Sequence, residues 1–299
     1  MDRFDAMSVL LAVVEEGSLS AGGRRLRLPL TTVSRKVADL ERHLRTRLLT
    51  RTSRRVGLTE AGQAYVAAAR RILEQVQEAE RAAAGEYSAP RGDLAVTAPL
   101  VFGRRHLLPI VVDFLAAYPE IAIRLLLVDR SVNLVDDHVD VALRIGPLAD
   151  SALVATRVGS VRRIVCAGPD YLARRGAPAE PECLTEHDLI TFEGFPATTD
   201  WRFRRGAAAV AIPVRPRLAV NAAEAAVDAA RAGLGITRVL SYQAADEVRS
   251  GALRLLLEPY EPAPLPVSFV HPERGLLPLK VCAFLDWVVP RMRSRLAAS

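Results

Sequence analysis

The chain has 299 residues, half of them hydrophobic and a quarter charged, with a formal net charge of +6. That length exceeds one small core and predicts two to three domains, while the lack of eighteen consecutive uncharged apolar residues argues against a membrane span. Cys166, Cys183 and Cys282 form no C-x-x-C pair, and the acidic N-terminus is unlike a secretory leader, so the cytosol is the expected compartment.

The charge is unevenly placed. From Arg24 to Arg55 stand eleven Lys/Arg against only Asp39 and Glu41, a net +9, which leaves the rest of the chain at −3. In chain order, Phe4, Met7, Leu11 and Val14 recur at helical spacing, with Gly17 as a stop. Ser18 is placed to cap a short second helix, Leu19 to Leu26, and Pro29 suits the first turn of a third. In that third helix Val33, Val37, Leu40 and Leu44 share one face, and Thr31, Arg35 and Arg42 share the opposite one. Two short β-like runs, Leu48 to Thr52 and Val56 to Thr59, flank the polar tip Ser53-Arg54-Arg55 as a hairpin. Thr59 then caps a long helix on which Ala61, Tyr65, Ala68, Ile72, Val76, Ala79 and Ala83 form a near-heptad seam. A partner helix from a second copy covers such a seam, or else the chain's own second half does. "GEYSAPRG", residues 85–92, reads as a linker.

Beyond it strands and helices alternate. Strands are predicted at Leu94–Ala98, Ile121–Val128, Val139–Ile145, Ile164–Ala167, Leu189–Phe192, Leu218–Val220 and Val267–Val270. Helices are predicted at Phe102–Tyr118, Leu134–His138, Asn221–Ala232 and Leu279–Leu296. Such alternation implies a largely parallel α/β sheet, and about 200 residues of it suggest two lobes with a cleft between them.

Three helices, a break before the third and a basic hairpin describe a winged helix-turn-helix, whose third helix enters the major groove of double-stranded DNA. Arg35 has the planar fork for a guanine edge or a phosphate. Thr31 and Thr32 suit a thymine methyl or phosphate, and Ser34 and Lys36 complete the DNA-facing set on this helix. Arg51, Arg54 and Arg55 on the wing suit phosphates or the minor groove.

"EEGSLSAGGRRLRLPLTTVSRKVADLERHLRTRLLTRTSRRVGLTEAGQAY" resembles the N-terminal block of the LysR-type bacterial transcriptional regulators. The likeness continues through "AYPEI", "VDVALRIG", "AGPDYLA" and "AGLGI". It implies an α+β multidomain chain: a winged helix-turn-helix at 1–59, a dimerisation helix and linker at 60–91, and an effector-binding domain at 92–299. This last part is a two-lobed α/β domain similar to type 2 periplasmic binding proteins, with lobe I about 92–161 and 266–299 and lobe II about 162–265. A homodimer or homotetramer on a two-fold symmetric operator, a small-molecule effector such as a carboxylate, and RNA polymerase are the implied partners. Some positions depart from the family pattern. Gly22-Gly23 replace the usual alanines, each at a cost of ~1 kcal/mol in helix propensity. Arg27 stands where glycine is common, predicting a looser turn or a phosphate contact, and Leu240 replaces a frequent proline.

Ligands of two-lobed folds sit at strand carboxyl ends and helix N-termini, which points to Thr97-Ala98-Pro99 and Asn221; Asn221 could equally be a plain helix cap. The resemblance adds Arg144 and Gly146 at a strand exit, and Thr237. Arg144 pairs either with a carboxylate ligand or with Asp140, and Trp201 is either a pocket wall or a core aromatic. The five histidines match no metal spacing, and no G-x-S-x-G, H-E-x-x-H or P-loop occurs. The sequence thus calls for no cofactor, no metal and no enzymatic activity.

Overall fold

The computed structural model describes residues 2–51, 56–83, 89–130, 132–134, 137–148, 153–192, 200–272 and 277–297. The chain divides into two compact units, Met1–Ala89 and Pro90–Ser299. In the first, α1 (Arg3–Glu15), α2 (Leu19–Leu26) and α3 (Leu30–Leu44) precede the antiparallel hairpin of β1 (Leu49–Arg51) and β2 (Val56–Leu58). The long α4 (Glu60–Ala83) follows. Their apolar faces meet in one core of Ala6, Val9, Leu10, Val13, Val33, Val37, Leu40, Leu48, Leu49 and Val66. Ser18 caps α2 as its sequence predicts, its Oγ accepting from Ala21 N–H at 3.1 Å. Thr59 caps α4, accepting from Gly62 N–H at 2.9 Å. Pro29 stands one place earlier than expected, as the residue before α3.

Two departures from the family pattern acquire a physical reason here. A Cβ on Gly22 would lie 2.9 Å from the Val13 backbone, and one on Gly23 would lie 2.9 Å from the Leu28 carbonyl. The glycines therefore let α2 approach α1 and its own exit turn closely. Gly22→Ala is expected to destabilise the protein by about 1–3 kcal/mol through overpacking, despite its better helix propensity, as a lower urea midpoint will show. Arg27 does not loosen the turn. It adopts the left-handed conformation (φ 54°, ψ 38°), and two reversed hydrogen bonds, Arg27 N–H to Arg24 C=O and Leu28 N–H to Gly23 C=O, end α2 as tightly as glycine would.

The second unit contains β3 (Gly92–Ala98), α5 (Leu100–Phe102), a π-helical turn (Gly103–Leu107), α6 (Leu108–Ala117), β4 (Ile121–Leu127), β5 (Val141–Ile145) and β6 (Leu153–Val161). It continues with β7 (Arg163–Ala167), α7 (Pro169–Arg175), β8 (Leu189–Phe192), β9 (Asp200–Arg205), β10 (Ala208–Pro213), β11 (Pro216–Val220) and α8 (Ala223–Arg231). The last elements are β12 (Ile236–Leu240), α9 (Ala245–Arg249), β13 (Arg254–Leu256), β14 (Leu265–Pro272) and α10 (Leu279–Ala297). Two five-stranded sheets result, ordered β4-β3-β5-β14-β6 (lobe I) and β11-β8-β12-β7-β13 (lobe II). Neither is largely parallel. β14 runs antiparallel to β5 and β6, and β7 runs antiparallel to β12 and β13, while the remaining pairs are parallel. The chain enters lobe II after β6 and returns at β14, so each sheet takes in antiparallel strands at its crossovers.

The predicted single helix Phe102–Tyr118 is interrupted by the π turn. Its Arg104 pairs with Glu224 and its Arg105 with Asp246, reaching from lobe I to lobe II. Leu240, the last residue of lobe II's β12, and Tyr242 just beyond it are buried in the lobe I core. Leu240 in the proline position is thus a lobe-joining side chain. The predicted helix Leu134–His138 lies partly outside the described residues, and Leu134, Asp137 and His138 form turns.

Candidate nucleic-acid interface and ligand cavity

On α3 the sequence pattern separates a packed face from an open one. Val33, Val37 and Leu40 are completely buried, whereas Thr31 and Arg35 are exposed and Thr32 and Ser34 half-exposed. Pro29 contributes no side-chain cap, so the first N–H groups of α3 stay open to an anion. Arg35 has no hydrogen bond or ion pair among the described residues. Its neighbours differ: Arg42 pairs with Asp39 at 2.6 Å and Arg25 with Glu15 at 2.6 Å. Among the described residues Arg35 is therefore the unpaired guanidinium of this helix.

Lys36 is a correction. It follows Arg35 round the helix onto the packed side and pairs with Asp5 of α1, which ties α3 to α1 instead of facing outward. Glu41, in sequence only one of two acids in a basic run, has an Oε1 that accepts from Leu48 N–H at 2.8 Å and Leu49 N–H at 3.0 Å. One carboxylate thereby fixes where the wing leaves α3. Nothing in the spacing of Glu41 announces that role, because its partners are backbone groups seven and eight residues away. Arg51 ends β1; Arg54 and Arg55 lie outside the described residues.

On α4, Val66 and Ala69 face the core, while Ala61, Ile72 and Ala79 are exposed and Tyr65, Ala68 and Val76 half-exposed. The seam is offset from the face that the unit itself covers. Tyr65 alone joins the rim of the internal core.

In lobe I a cavity of about 210 Å³ opens at the carboxyl ends of β3 and β5. It brings together Thr97, Ala98, Pro99, Arg144 and Gly146, with Asp129, Val132 and Leu148 beside them. Thr97 is buried and its hydroxyl donates to Leu126 C=O at 2.8 Å. Gly146 has φ 112°, a conformation that favours glycine at this strand exit. Arg144 donates to Val132 C=O, and its Nε is buried without a hydrogen-bond partner among the described residues. Asp140 is not its counter-ion, since that carboxylate accepts from Ala95 N–H at 2.8 Å on the far end of the sheet pairing.

The helix start at this cavity is already occupied. Asp129 Oδ1 accepts from Leu100 N–H at 3.0 Å. Burial pushes the Asp129 carboxyl up, that hydrogen bond opposes the shift, and Glu224 adds to it. The basic side chains in the lining are Arg144 and Arg130.

The remaining predicted residues do not line this cavity. Trp201 is a core aromatic, 3% exposed beneath the β9–β10 hairpin with Phe203 and Ile212. Thr237 is fully buried inside the lobe II sheet, and its hydroxyl donates to Ile190 C=O at 3.2 Å. Asn221 is exposed at the end of β11 and does not cap the following helix, whose N-cap is Ala222. Cys166 is buried in β7, where burial first and Glu247 second push its thiol up to about 12. It is a core residue. Among the described residues no His/Cys/Asp/Glu group could hold a metal, and no helix is long and apolar enough to cross a membrane.

Comparison with known proteins agrees with both halves. Residues 4–63 match the bacterial regulatory helix-turn-helix protein, lysR family, and residues 88–293 match the LysR substrate binding domain. An HTH-type transcriptional regulator of Xanthomonas campestris pv. campestris is 36% identical over 95% of this chain and 84% of its own. The HTH-type transcriptional activator AaeR of Escherichia coli K12 is 33% identical over 94% of this chain and 91% of its own. Among solved structures, the full-length virulence activator AphB of Vibrio cholerae is 28% identical with a TM-score of 0.62, covering 97% of this chain and 99% of that one. CrgA of Neisseria meningitidis is 29% identical with a TM-score of 0.61, covering 96% and 98%. The chain belongs to the LysR-type transcriptional regulators: it is not an enzyme but a DNA-binding regulator with an N-terminal helix-turn-helix and a C-terminal effector-binding domain.

Proposed function

We propose that this regulator reads a two-fold symmetric operator through Arg35, Thr31, Thr32 and Ser34 of α3, acting in the cytoplasm as a homo-oligomer joined along the α4 seam. The observation that carries the reading is the split of α3 into a fully buried apolar face and an open face with one uncommitted guanidinium. Such a helix offers its N-terminal side chains to base edges, and Arg35 has the fork that fits guanine. Wing arginines Arg51, Arg54 and Arg55 supply sequence-independent phosphate contacts, so Arg54→Ala should weaken binding to all duplexes and lower the salt slope by roughly one. Gel-shift titrations at several salt concentrations test this.

The lobe I cavity is the effector site of this proposal, and Arg144 selects a carboxylate. A guanidinium with a buried, unpartnered Nε gains a charge-assisted hydrogen bond when a carboxylate enters. A ligand that prefers one arrangement of the lobes then shifts the oligomer and the spacing of its reading helices. A panel of small carboxylates and their neutral amides, followed by thermal shift, should show stabilisation by acids only. Arg144→Met should weaken the best acid by roughly 10- to 100-fold. Equal stabilisation by acid and amide would remove the carboxylate from the proposal. RNA polymerase completes the proposed set of partners.

A further inference from the structure

Most lobe II arginines have partners. Arg162 meets Glu261 at 2.7 Å and Glu258 at 3.2 Å, Arg205 meets Glu182 at 2.7 Å and Glu180 at 3.2 Å, and Arg217 meets Asp188 at 3.2 Å. Arg174 and Arg175 donate to the carbonyls of Gly233 and Glu186. These pairs sit at the surface, where water screens charge and a partner matters least.

Arg163 and Arg238 are the reverse case. In the β7–β12 ladder Arg163 stands opposite Leu240 and Arg238 opposite Val165. Counting in twos places both on the sheet face that carries Val165, Ala167 and Ile236, as diagonal neighbours within reach of one another. Trp201 and Phe203 cover that face. Both arginines are withdrawn from solvent relative to the paired ones. Arg163 has no hydrogen bond or ion pair among the described residues. Arg238 donates to the Arg202 carbonyl at 3.3 Å, and its guanidinium lies 5.0 Å from the centre of the Trp201 ring.

Two like charges side by side in a partly dehydrated place are costly unless something negative joins them. Burial lowers the pKa of Arg163, and burial together with Arg163 lowers that of Arg238 to about 9, with no carboxylate opposing either shift. Arg238 is part-buried and lays its guanidinium over an indole, 5.0 Å from the ring centre. That stacking fixes the plane of its fork and leaves the N–H edge available.

We propose that Arg163 and Arg238, backed by the indole of Trp201, form a small oxyanion site in lobe II, separate from the lobe I cavity, that holds a carboxylate or phosphate group between two guanidinium forks. It is independent of the Arg144 reading, because the lining of the lobe I cavity contains no lobe II residue among those described.

The test uses the full-length protein carrying Trp287→Phe, which leaves Trp201 as the tryptophan reporter. Sodium phosphate and sodium acetate are each titrated against sodium chloride at constant ionic strength, following Tm and fluorescence. Phosphate stabilises proteins in general without saturating, so the diagnostic signal is a saturable change in both readouts. Saturation by phosphate or by acetate supports the site and tells which oxyanion it takes. Arg163→Gln/Arg238→Gln should weaken the saturable component at least tenfold, whereas Arg144→Met should leave it unchanged. Should the double variant not fold, Arg238→Lys keeps the charge without the fork and should bind at least fivefold more weakly. The proposal is overturned by saturation with neither anion, by saturation that survives the arginine replacements, or by its loss in Arg144→Met.

Discussion

Replacing Arg35 with alanine is expected to lower affinity for the specific operator by about 1–3 kcal/mol, roughly 5- to 150-fold, while affinity for random duplex falls far less. The expectation rests on what Arg35 does not do. It is exposed on α3 between threonines and a serine and spends its guanidinium on no protein group among those described. The adjacent lysine is the internal control. Lys36 is held by Asp5, so Lys36→Ala should cost a little stability and leave sequence preference intact. A gel-shift series on specific and random DNA separates the two outcomes. Equal losses for both substrates in Arg35→Ala would place that side chain on a phosphate.

Ile72→Glu is expected to dissociate the oligomer at micromolar concentration and to weaken binding to a two-half-site operator by at least about 100-fold, because linking two half-site readers multiplies affinity through effective concentration. Ile72 is 37% exposed on a helix whose covered face runs through Val66 and Ala69. A charge on the seam would be buried unpaired against a partner helix. Gln77→Glu, exposed but off the seam, should leave the mass unchanged in sedimentation velocity. An unchanged mass for Ile72→Glu would move the contact elsewhere.

The sequence made the N-terminal unit legible because its helices are amphipathic and locally capped. Val33, Val37 and Leu40 mark α3's packed face, and Ser18 and Thr59 mark two helix starts within three residues of the N–H groups that they bind. Lys36 escaped because it lies at the edge of the apolar face, where only the presence of Asp5 on another helix decides the outcome. In the second unit the strands could be found but not their directions. A strand such as β14 reads the same whichever way its neighbours run, so the mixed sheets were read as parallel. The β9–β10 hairpin was missed, although Trp201, Phe203, Val210 and Ile212 alternate inward on either side of Gly206, a visible period of two.

The cavity was legible where its lining residues fall on one strand exit. Thr97, Ala98 and Pro99 and then Arg144 and Gly146 converge because β3 and β5 are neighbours in the sheet. Trp201 and Thr237 lie in the lobe II core, which their residue type does not announce, because polar or aromatic character near a strand does not say which face the pleat presents. Asp129, which occupies the helix start at the cavity, carries no local signal, since its partner Leu100 is distant in sequence.

We expect α3 to occupy the major groove in two copies related by a two-fold axis. Methylation protection of guanine N7 by the full-length protein on the region upstream of its own coding sequence tests it most directly, because that atom is exposed only in the major groove. Protected guanines are expected in two inverted half-sites spaced by whole helical turns, with Arg35→Ala uncovering one symmetric pair. Protection confined to adenine N3 in the minor groove, or a single unrepeated patch, would contradict it.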